Sequence, residues 1–581
     1  MSLLPRIYND FLLSKDFFED GERRPIIEHA LGLLEDTSKE GGVLFLQLPT
    51  GYGKTTITFT SFFRAIVNPD FFWRVIHISP LRSIVEDIYR RIREGCEKAL
   101  ADINNAGDFE QLIGAQMMLL PGSPYLQKRL TITTFDTFSL SLAKTPVREI
   151  SEIARGIGHG HFDIPRASIL EALVVMDEIH TFLSETGESR ALGVLTSTIR
   201  YLMEFRIPLV LMSATMPKVF VNKILESSPC STHRKEIYYG DEGVVDKDWE
   251  NEQINKKIET KLLQGNIDDI VKKSLELSSS YDRTLVVLNT IPRARQVYCE
   301  LRKKWKYDKP LVLLHSKFKK EDREKKLKIV SKEKKWTLVS TQVVESGINI
   351  SANALITDTA PANNLVQRAG RVARKSSDNE GIVVIIEETK EVERGFGIYN
   401  TEILKATHEE LKKHVSDDKV KILWRNLDYN GYIGYQKFVN KVYSKGRWNF
   451  YPDPLYYRLI SSFEWHPEDT IRALMELYHG SFLRGSPLIP LVADPSGELD
   501  YINYRAFMEK TIPIAVEDVG RMLRKGIKVE KIVRKEKRVE REEFEPRDLN
   551  KLVEKFISGR IIALQVNDPE ITYTGDEGLM I

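Results

Sequence analysis

The chain has few cysteines, no long apolar run and almost no net charge. Its three cysteines, Cys96, Cys230 and Cys299, lie far apart in 581 residues, and none belongs to a C-x-x-C pair. This pattern excludes a disulfide framework and a zinc ribbon, and it fits a reducing cytoplasm. Lysine and arginine number 85 and aspartate and glutamate 83, which gives a net charge of +2. Any surface that binds a polyanion must therefore be a local patch.

No segment predicts membrane insertion or export. Residues 1–21 lack the pattern of a signal peptide, and no apolar run approaches the roughly 20 residues that span a bilayer. We therefore expect a cytoplasmic protein without membrane contact. Candidate metal ligands are also sparse: His159, His161 and Asp163 share a glycine-rich loop, but no further clear ligand accompanies them. We do not expect a metal centre in that loop.

What the chain does contain is a phosphate-binding loop, Leu48–Pro49–Thr50–Gly51–Tyr52–Gly53–Lys54–Thr55. The apolar run at 43–46 predicts a buried strand before it, and residues 56–67 predict a helix after it. A strand, a glycine loop and a helix in this order turn backbone N–H groups toward phosphates. The motif's usual first glycine falls at Leu48. Lys54 is expected on the outer phosphates and Thr55 on Mg²⁺. The residues expected to hold the nucleotide are Gly51, Tyr52, Gly53, Lys54, Thr55 and Thr56.

A second predicted strand is followed by two carboxylates that are expected to take part in hydrolysis of the bound nucleotide. Residues 173–176 are apolar and precede Asp177 and Glu178. We expect Asp177 to hold Mg²⁺ together with Thr55, and Glu178 to orient and deprotonate the attacking water. A third apolar run, residues 208–212, leads to Ser213 and Thr215. Their hydroxyls are expected to couple the triphosphate site to a bound strand.

Polar residues also end several other predicted strands, where they are candidates for holding the phosphates of a nucleic-acid strand. Each of them is equally compatible with an ordinary turn or a helix cap. The candidates are Ser79, Arg82, Thr134, Asn289, Thr290, His315, Ser316, Thr341 and Gln342. The lysine-rich run at 317–328 predicts a solvated helix face, with a strand-holding patch as the alternative.

The second half of the chain contains candidates for contacts with the nucleotide on the side opposite the phosphate-binding loop. Gly347 and Asn349 follow a short strand, and Gln367 opens the string Gln–Arg–Ala–Gly–Arg–Val–Ala–Arg at 367–374. Arg371 and Arg374 are three residues apart, so on a helix they share a face. Guanidinium groups there are expected to clamp the γ-phosphate from across a cleft, as arginine fingers do. The alternative is a solvent-exposed helix face.

With these blocks in this order, the chain resembles the superfamily-two helicases, in which two RecA-like domains enclose ATP. Within that superfamily it looks most like the helicase subunit of type I CRISPR interference. The resemblance is carried by the strings at 48–55, 177–180, 314–316 with 322–323, 339–345 and 366–374. It implies an α/β fold with two tandem RecA-like parallel-sheet domains, at 1–230 and 231–400. A helical linker and C-terminal accessory domain at 401–581 would follow.

The resemblance also implies a function. We expect an ATP-dependent single-stranded DNA translocase and helicase that moves 3′ to 5′ and works with a CRISPR RNA-guided surveillance complex. Many members carry an HD nuclease domain, but no histidine in this chain is followed directly by aspartate. A separate HD-type nuclease subunit is therefore expected. A DExH RNA helicase and an ATP-regulated clamp without unwinding activity remain the alternatives.

Two further departures from the family concern the nucleotide. Glu28 stands nearest to the glutamine that reads adenine in many helicases, which leaves adenine specificity open. Asn349 replaces the aspartate that is common near the ribose.

The rest of the chain yields only local predictions. Residues 227–265 lose apolar periodicity and predict a junction between two domains. Residues 403–414 and 467–479 predict helices, and residues 488–492 and 561–566 predict strands. The mixed-charge run at 525–543 predicts a solvated helix face.

Overall fold

The computed structural model describes most of the chain, and every structural statement below concerns those residues. They are residues 3–13, 23–99, 109–117, 120–158, 160–183, 190–226, 233–345, 348–375, 377–446, 450–462, 464–484, 487–493, 504–535, 538–566 and 573–580.

The first domain is built on an eight-stranded sheet in the order β4-β3-β5-β2-β6-β7-β1-β8. Its strands are β1 (Val43–Gln47), β2 (Arg74–Ser79), β3 (Ile113–Met117), β4 (Leu120–Pro121), β5 (Leu130–Thr134), β6 (Ala172–Met176), β7 (Leu209–Ser213) and β8 (Arg234–Tyr238). Every pairing is parallel except β3 with β4. Strands β1, β5, β6 and β7 are buried along their whole length. Continuous apolar strands with both faces covered are typical of parallel sheets.

Helices cover both faces of this sheet. They are α1 (Leu3–Arg6), α2 (Pro25–Glu40), α3 (Thr56–Val67), α4 (Arg82–Ala99), α5 (Phe109–Leu112), α6 (Phe135–Leu142), α7 (Ile150–Ile153), α8 (Ile164–Leu170), α9 (Arg190–Glu204), α10 (Lys218–Glu226) and α11 (Lys247–Ile254). A π-helical turn, Ile7–Leu12, precedes α2, and 3₁₀ turns at His161–Asp163 and Ile179–Leu183 precede α8 and follow β6.

The second domain has the same kind of architecture, with an eight-stranded sheet in the order β11-β12-β10-β13-β14-β9-β16-β15. Its strands are β9 (Lys257–Gln264), β10 (Arg283–Val287), β11 (Leu311–Leu314), β12 (Trp336–Ser340), β13 (Ala354–Asp358), β14 (Glu380–Glu387), β15 (Val415–Ser416) and β16 (Lys419–Val420). Its helices are α12 (Ile267–Ser280), α13 (Ile291–Lys304), α14 (Lys320–Lys332), α15 (Ala362–Ala369), α16 (Thr389–Glu393) and α17 (Thr401–Lys413). The predicted fold class, two tandem RecA-like parallel-sheet domains followed by a C-terminal region, is confirmed.

The C-terminal region holds a third, five-stranded sheet in the order β20-β19-β23-β21-β22. Its strands are β19 (Ile489–Val492), β20 (Ile512–Ile514), β21 (Val529–Lys535), β22 (Arg538–Glu543) and β23 (Ile561–Val566), and a short pair, β17 (Ile422–Leu423) and β18 (Ile433–Gly434), precedes them. The helices are α18 (Tyr435–Tyr443), α19 (Pro454–Ser461), α20 (Pro467–Glu476), α21 (Tyr504–Glu509), α22 (Val516–Arg524) and α23 (Leu552–Ile557). A final hairpin joins β24 (Tyr573–Thr574) to β25 (Gly578–Leu579).

One local prediction is wrong. The mixed-charge run at 525–543 is not a helix but the β21–β22 hairpin. Its charges lie on paired strands, where Lys535 contacts Glu540 and Glu542 at 2.8 Å each. Opposite charges across a strand pair stabilise a hairpin as they do a helix face, so the charge pattern did not decide between the two.

The predicted junction between two domains at 227–265 contains the passage from the first sheet to the second. Strand β8 joins the first sheet beside β1, and β9 joins the second sheet beside β14. The change from one sheet to the other therefore occurs across α11 (Lys247–Ile254). Among the helices of the described residues, none is both long and apolar enough to cross a bilayer.

Candidate active site

The loop after β1 has the geometry of a phosphate cradle. Gly51 and Gly53 have φ angles of 90° and 99°, a backbone conformation that side chains other than glycine rarely adopt. Lys54 is folded back into the loop, where Nζ donates to the carbonyls of Leu48 at 3.2 Å and Pro49 at 3.4 Å. Leu48, which stands where a glycine is usual, is fully buried in the core under the loop. Its side chain thus anchors the loop while its carbonyl holds Lys54.

An aromatic cluster that the sequence analysis missed supports this loop from α11. The Tyr52 hydroxyl donates to Asp246 Oδ2 at 2.7 Å, and burial raises the pKa of Tyr52. The Trp249 ring packs edge-on against the Tyr52 ring at 5.3 Å, and the Arg24 guanidinium stacks over Trp249 at 4.9 Å. A Cβ built on Gly51 would lie 3.7 Å from Trp249 Cη2. The segment between the two sheets therefore fixes the loop's conformation.

The two predicted carboxylates stand at the carboxyl end of β6, beside the phosphate loop. Asp177 is buried, and its pKa is raised to about 7, first by burial and then by the charge of Glu178, against the lowering effect of Lys54. Asp177 Oδ1 accepts from the Glu178 backbone N–H at 2.9 Å. Glu178 has a φ angle of 52°, in the left-handed region, which costs on the order of 1 kcal/mol for a residue with a side chain. Strain of this kind at the end of a strand is common where a side chain must point in a fixed direction.

A chain of polar contacts leads from Glu178 to the predicted coupling residues. His180 Nδ1 lies 3.2 Å from Glu178 Oε2 and 3.1 Å from Ser213 Oγ. Ser213 Oγ in turn accepts from the backbone N–H of Thr215 at 3.2 Å. His180 is buried, and burial lowers its pKa. The structure therefore brings the predicted base and the two predicted coupling residues together through a histidine.

The second domain supplies Arg371, but not in the way the sequence predicted. Helix α15 ends at Ala369, so Arg371 and Arg374 lie beyond it and the shared helix face is wrong. Arg371 is buried rather than solvent-exposed: its guanidinium donates to the carbonyls of Ile348 at 2.7 Å and Glu345. Burial, with repulsion from Arg374, lowers its pKa to about 9, whereas the charge of Glu178 acts to raise it.

The segment that carries Arg371 touches the phosphate loop. A Cβ built on Gly370 would lie 3.6 Å from Thr50 Cγ2, so the two domains meet at this point. Arg425, which the sequence analysis missed, holds the segment from behind. Its guanidinium donates to the carbonyl of Ala373 at 2.9 Å, to that of Gly370 at 3.0 Å and to that of Val372. Three carbonyls bound by one buried arginine fix the backbone of the turn after α15.

Five residues expected at the cleft between the two domains have buried polar atoms with no hydrogen-bond partner among the described residues. They are Thr50 Oγ1, Glu178 Oε2, Thr215 Oγ1, Gln367 Nε2 and Arg371 Nε. Buried polar groups normally find partners. Unpartnered atoms on motif residues of both domains are therefore compatible with a polar ligand such as a triphosphate.

The same cleft suits Mg²⁺. Among the described residues no group of three or more His, Cys, Asp or Glu side chains converges. Mg²⁺ typically takes one or two protein oxygens and completes its shell with phosphates and water. Thr55 and Asp177, as a hydroxyl and a single carboxylate, match that requirement.

The predicted nucleic-acid contacts divide into two groups. Ser79, Thr134, Asn289, His315 and Thr341 are buried, and most of these side chains are engaged internally. Thr134 caps α6, the Asn289 side chain donates to the carbonyl of Thr359 at 2.9 Å, and His315 Nε2 lies 3.0 Å from the carbonyl oxygen of Glu577. These five side chains are buried in this structure, and their contact with a nucleic acid stays a prediction. Short polar residues at strand ends satisfy the neighbouring backbone, and the sequence does not distinguish that role from ligand binding.

The remaining four, Arg82, Thr290, Ser316 and Gln342, are at least partly exposed and stay predictions. Arg82 begins α4, and its pKa is lowered by burial and by the nearby charges of Arg484 and Arg323. Arginines from the first domain, the second domain and the C-terminal region therefore converge there. The lysine-rich run at 317–328 is partly covered rather than fully solvated, since Lys326 donates to the carbonyl of Asp576 at 3.1 Å.

Four further residues from the sequence analysis have simpler outcomes. Asn349 is exposed. Gly347 and His159 lie outside the described residues. His161 lies 3.2 Å from Glu149.

Comparison with known proteins places these features in a family. Residues 26–224 match the DEAD/DEAH box helicase family, and residues 280–377 match the C-terminal part of the CRISPR-associated nuclease/helicase Cas3. The CRISPR-associated helicase Cas3 of Thermoproteus tenax is 26% identical over 434 residues, covering 73% of this chain and 67% of its own length. A putative CRISPR-associated nuclease/helicase Cas3 of Methanocaldococcus jannaschii is 28% identical over 268 residues. That match covers 43% of this chain and 32% of the relative, so the chain spans about a third of that relative's length.

Solved structures share the fold. The structure of T. fusca Cas3 with ATP has a TM-score of 0.61 at 15% identity, covering 100% of this chain and 72% of the other. A chain in a CRISPR RNA-guided surveillance complex before nicking has a TM-score of 0.54 at 15% identity, covering 94% and 69%. With the motif order and both family matches, this chain is similar to the CRISPR-associated Cas3 helicases and carries the domains of an ATP-hydrolysing helicase.

Proposed function

We propose that the chain moves along single-stranded DNA in the 3′-to-5′ direction and separates strands for type I CRISPR interference. ATP hydrolysis supplies the free energy for this movement, and Mg²⁺ is the cofactor. The observation that carries the nucleotide chemistry is the set of unpartnered buried polar atoms contributed by both domains. The substrate and the direction rest on the family resemblance. The T. fusca relative solved with ATP and the related chain in a surveillance complex support the same reading.

In this mechanism each residue has a defined task. The backbone of the loop at 48–55 and Lys54 bind the phosphates, and Thr55 and Asp177 hold Mg²⁺, which would neutralise the charge on the phosphate oxygens. Glu178 Oε2, which lacks a hydrogen-bond partner, orients a water and takes its proton. Arg371 Nε, also without a partner, donates to the γ-phosphate from the second domain. Gln367 Nε2 is the third unpartnered group available to the phosphates or the water.

Cleavage of the DNA is assigned to a separate subunit. The HD type of nuclease needs clustered His and Asp ligands for its metals, and no His-Asp dipeptide occurs in the 581 residues. The described residues hold no such cluster either. We therefore propose an HD-type nuclease partner and a CRISPR RNA-guided surveillance complex that loads the strand.

The test compares nucleic acids with one purified chain. ATP hydrolysis is measured alone, with single-stranded DNA and with RNA of the same sequence, and strand displacement is measured on duplexes with a 3′ or a 5′ overhang. Stimulation by DNA and displacement from the 3′ overhang are expected, whereas Lys54→Ala should abolish both and the exposed Lys235→Ala neither. Stimulation by RNA alone would show an RNA helicase, and stimulated hydrolysis without displacement a clamp.

Cleavage is tested in the same preparation. Single-stranded DNA should stay intact with Mg²⁺, Mn²⁺, Ni²⁺ or Co²⁺, and an added HD-type subunit should produce cutting that ATP extends. Metal-dependent cutting by the chain alone that His161→Ala abolishes and Lys54→Ala leaves unchanged would overturn the assignment.

A further inference from the structure

A buried histidine connects three parts of the nucleotide site. His77 lies in β2 with none of its surface exposed. Its Nδ1 lies 2.8 Å from Thr58 Oγ1 in α3, the helix that follows the phosphate loop. Its Nε2 lies 3.2 Å from Ser79 Oγ and 4.0 Å from Asp177 Oδ2.

The ring is neutral and both of its nitrogens are used. Complete burial lowers the pKa of His77 to about 3. A neutral imidazole carries one proton. Assigning it to Nε2 lets Nδ1 accept from the Thr58 hydroxyl and lets Nε2 donate to Ser79 Oγ. Asp177 Oδ2, at 4.0 Å, lies beyond hydrogen-bond distance, so the neutral ring packs beside the carboxylate without bonding to it.

Packing alone does not account for a histidine at this position. Its neighbours in β2, Ile76 and Ile78, are fully or almost fully buried apolar residues. Burying a polar group gives no stability beyond that of an apolar side chain unless its hydrogen bonds are made. An apolar residue would fill the space without that requirement. The histidine therefore provides what an apolar residue lacks, a link between β2, α3 and the end of β6.

The link joins the elements that carry the proposed chemistry. Helix α3 begins next to Thr55, and Asp177 follows β6, which pairs with β2 in parallel register. The loop after Ser79 leads to Arg82 at the start of α4. A displacement of that loop therefore changes the position of Ser79 against His77, and through His77 the environment of Asp177.

We infer that His77 is a positioning residue that holds the Asp177 carboxylate in place for Mg²⁺ and ties it to the strand-facing loop that begins at Ser79. This inference rests on the proposed roles of Asp177 and Arg82. It adds a residue that lies outside the strings at 48–55 and 177–180.

The experiment compares His77→Leu with His77→Gln. Leucine fills the space and removes both polar contacts, whereas glutamine retains an amide N–H that can reach Ser79. Three quantities are measured: the Mg²⁺ concentration for half-maximal ATP hydrolysis, the ratio of DNA-stimulated to basal hydrolysis, and the affinity for a fluorescent ATP analogue without Mg²⁺. The melting temperature reports folding.

His77→Leu should raise the half-maximal Mg²⁺ concentration by about fivefold or more, the equivalent of about 1 kcal/mol, which is the usual net value of a hydrogen bond such as the one to Ser79 that the variant loses. The stimulation ratio should fall by a similar factor, while Mg²⁺-free nucleotide affinity stays within about twofold of wild type. His77→Gln should recover most of both losses. Wild-type Mg²⁺ and stimulation curves in the leucine variant would overturn the inference, as would an equal loss of all three quantities in both variants.

A second variant covers the case in which His77→Leu does not fold. Thr58→Val keeps the shape of the side chain and removes the hydroxyl that meets Nδ1, so it should shift the Mg²⁺ curve in the same direction by about twofold or more. An unshifted curve would overturn the inference. If ATP hydrolysis by the wild-type protein needs no Mg²⁺ or is not stimulated by DNA, the proposed function is wrong. That result is distinct from a failure of the inference about His77, which only the variants reveal.

Discussion

The Glu178 carboxylate lies 3.2 Å from Nδ1 of His180, yet the contact does not have hydrogen-bond geometry. His180 Nδ1 faces Ser213 Oγ at 3.1 Å, and Glu178 Oε2 stays buried without a hydrogen-bond partner. An oxygen in that condition is available to a water molecule. His180 therefore lies against the same oxygen, Oε2, that would accept the proton, but it makes no hydrogen bond to it.

The first prediction concerns that oxygen. Glu178→Gln keeps the shape of the side chain and removes its basicity, so kcat for ATP should fall by about 10²–10⁴-fold, while the affinity for nucleotide changes little. Single-turnover hydrolysis and binding of a fluorescent ATP analogue separate the two effects. Glu171→Gln is the matched control, since Glu171 pairs with Arg74 before β6, at the opposite end of the strand from Asp177. Turnover near the wild-type rate in Glu178→Gln would assign the base elsewhere.

The second prediction is that Asp177→Asn stabilises the protein without nucleotide or Mg²⁺. Burial and the Glu178 charge raise the pKa of Asp177 to about 7. A carboxyl whose folded pKa exceeds its unfolded value destabilises the fold as pH rises between the two, from about 4 to about 7. Asparagine removes that cost and keeps an oxygen for the Glu178 N–H.

Melting curves in EDTA test this prediction. At pH 8 the Asp177→Asn variant should melt several degrees higher than wild type, corresponding to about 2 kcal/mol, and at pH 4.5 the difference should vanish. The exposed Asp308→Asn should show neither effect. An equal melting temperature at pH 8 would mean that Asp177 is not penalised by burial in the free protein.

The sequence predicted the strands and loops whose signals are local. A buried run followed by glycines, as at 43–55, or by carboxylates, as at 173–178, specifies its structure within a dozen residues. The same holds for α3 (Thr56–Val67) and β7 (Leu209–Ser213), which are confirmed. Parallel strands with both faces covered carry a continuous apolar pattern that few other elements share.

The sequence did not predict the residues that act through distant contacts. Asp246 meets Tyr52 across 194 positions, and Arg425 meets the carbonyls of 370–373 across more than fifty. The sequence did not single out His77, because only the fold brings Thr58 and Asp177 to it. The roles of polar residues at strand ends stay undecided for a complementary reason: a helix cap such as Thr134 and a phosphate ligand have the same sequence signature.

The third prediction concerns Arg371. Its guanidinium is held by two backbone carbonyls while Nε stays unpartnered, so Arg371→Ala should lower kcat by about 10³-fold or more. Arg371→Lys retains the charge but not the planar fork and should recover little of the loss. Arg374→Ala should also lower kcat more than nucleotide affinity.

The control for these variants is Arg394→Ala, an exposed arginine of the same domain. Rates at saturating ATP and DNA are compared with nucleotide affinity measured separately. A wild-type kcat in Arg371→Ala would show that the guanidinium does not act on the nucleotide. Its role would then be limited to the hydrogen bonds with the carbonyls of Ile348 and Glu345.

The last prediction concerns the C-terminal hairpin that covers His315. Gly578 has a φ angle of 75°, and a Cβ there would lie 2.7 Å from both His315 Cε1 and the carbonyl oxygen of Lys317. The neighbouring Leu579 N–H donates to that same carbonyl at 2.9 Å. Gly578→Ala should therefore push the hairpin off the second domain and expose residues 313–319.

Gly526 provides a matched control, because its φ angle of 77° is nearly the same but nothing lies within 4 Å of its Cβ position. Gly526→Ala should cost only the backbone strain, about 1 kcal/mol, with no local change at 313–319. In Gly578→Ala, hydrogen exchange at 313–319 and 573–580 should rise together by about tenfold or more, the equivalent of about 1.4 kcal/mol of lost protection. Equal exchange in the two variants would show that the added Cβ does not displace the hairpin, whereas a rise confined to Gly578→Ala would show that it does.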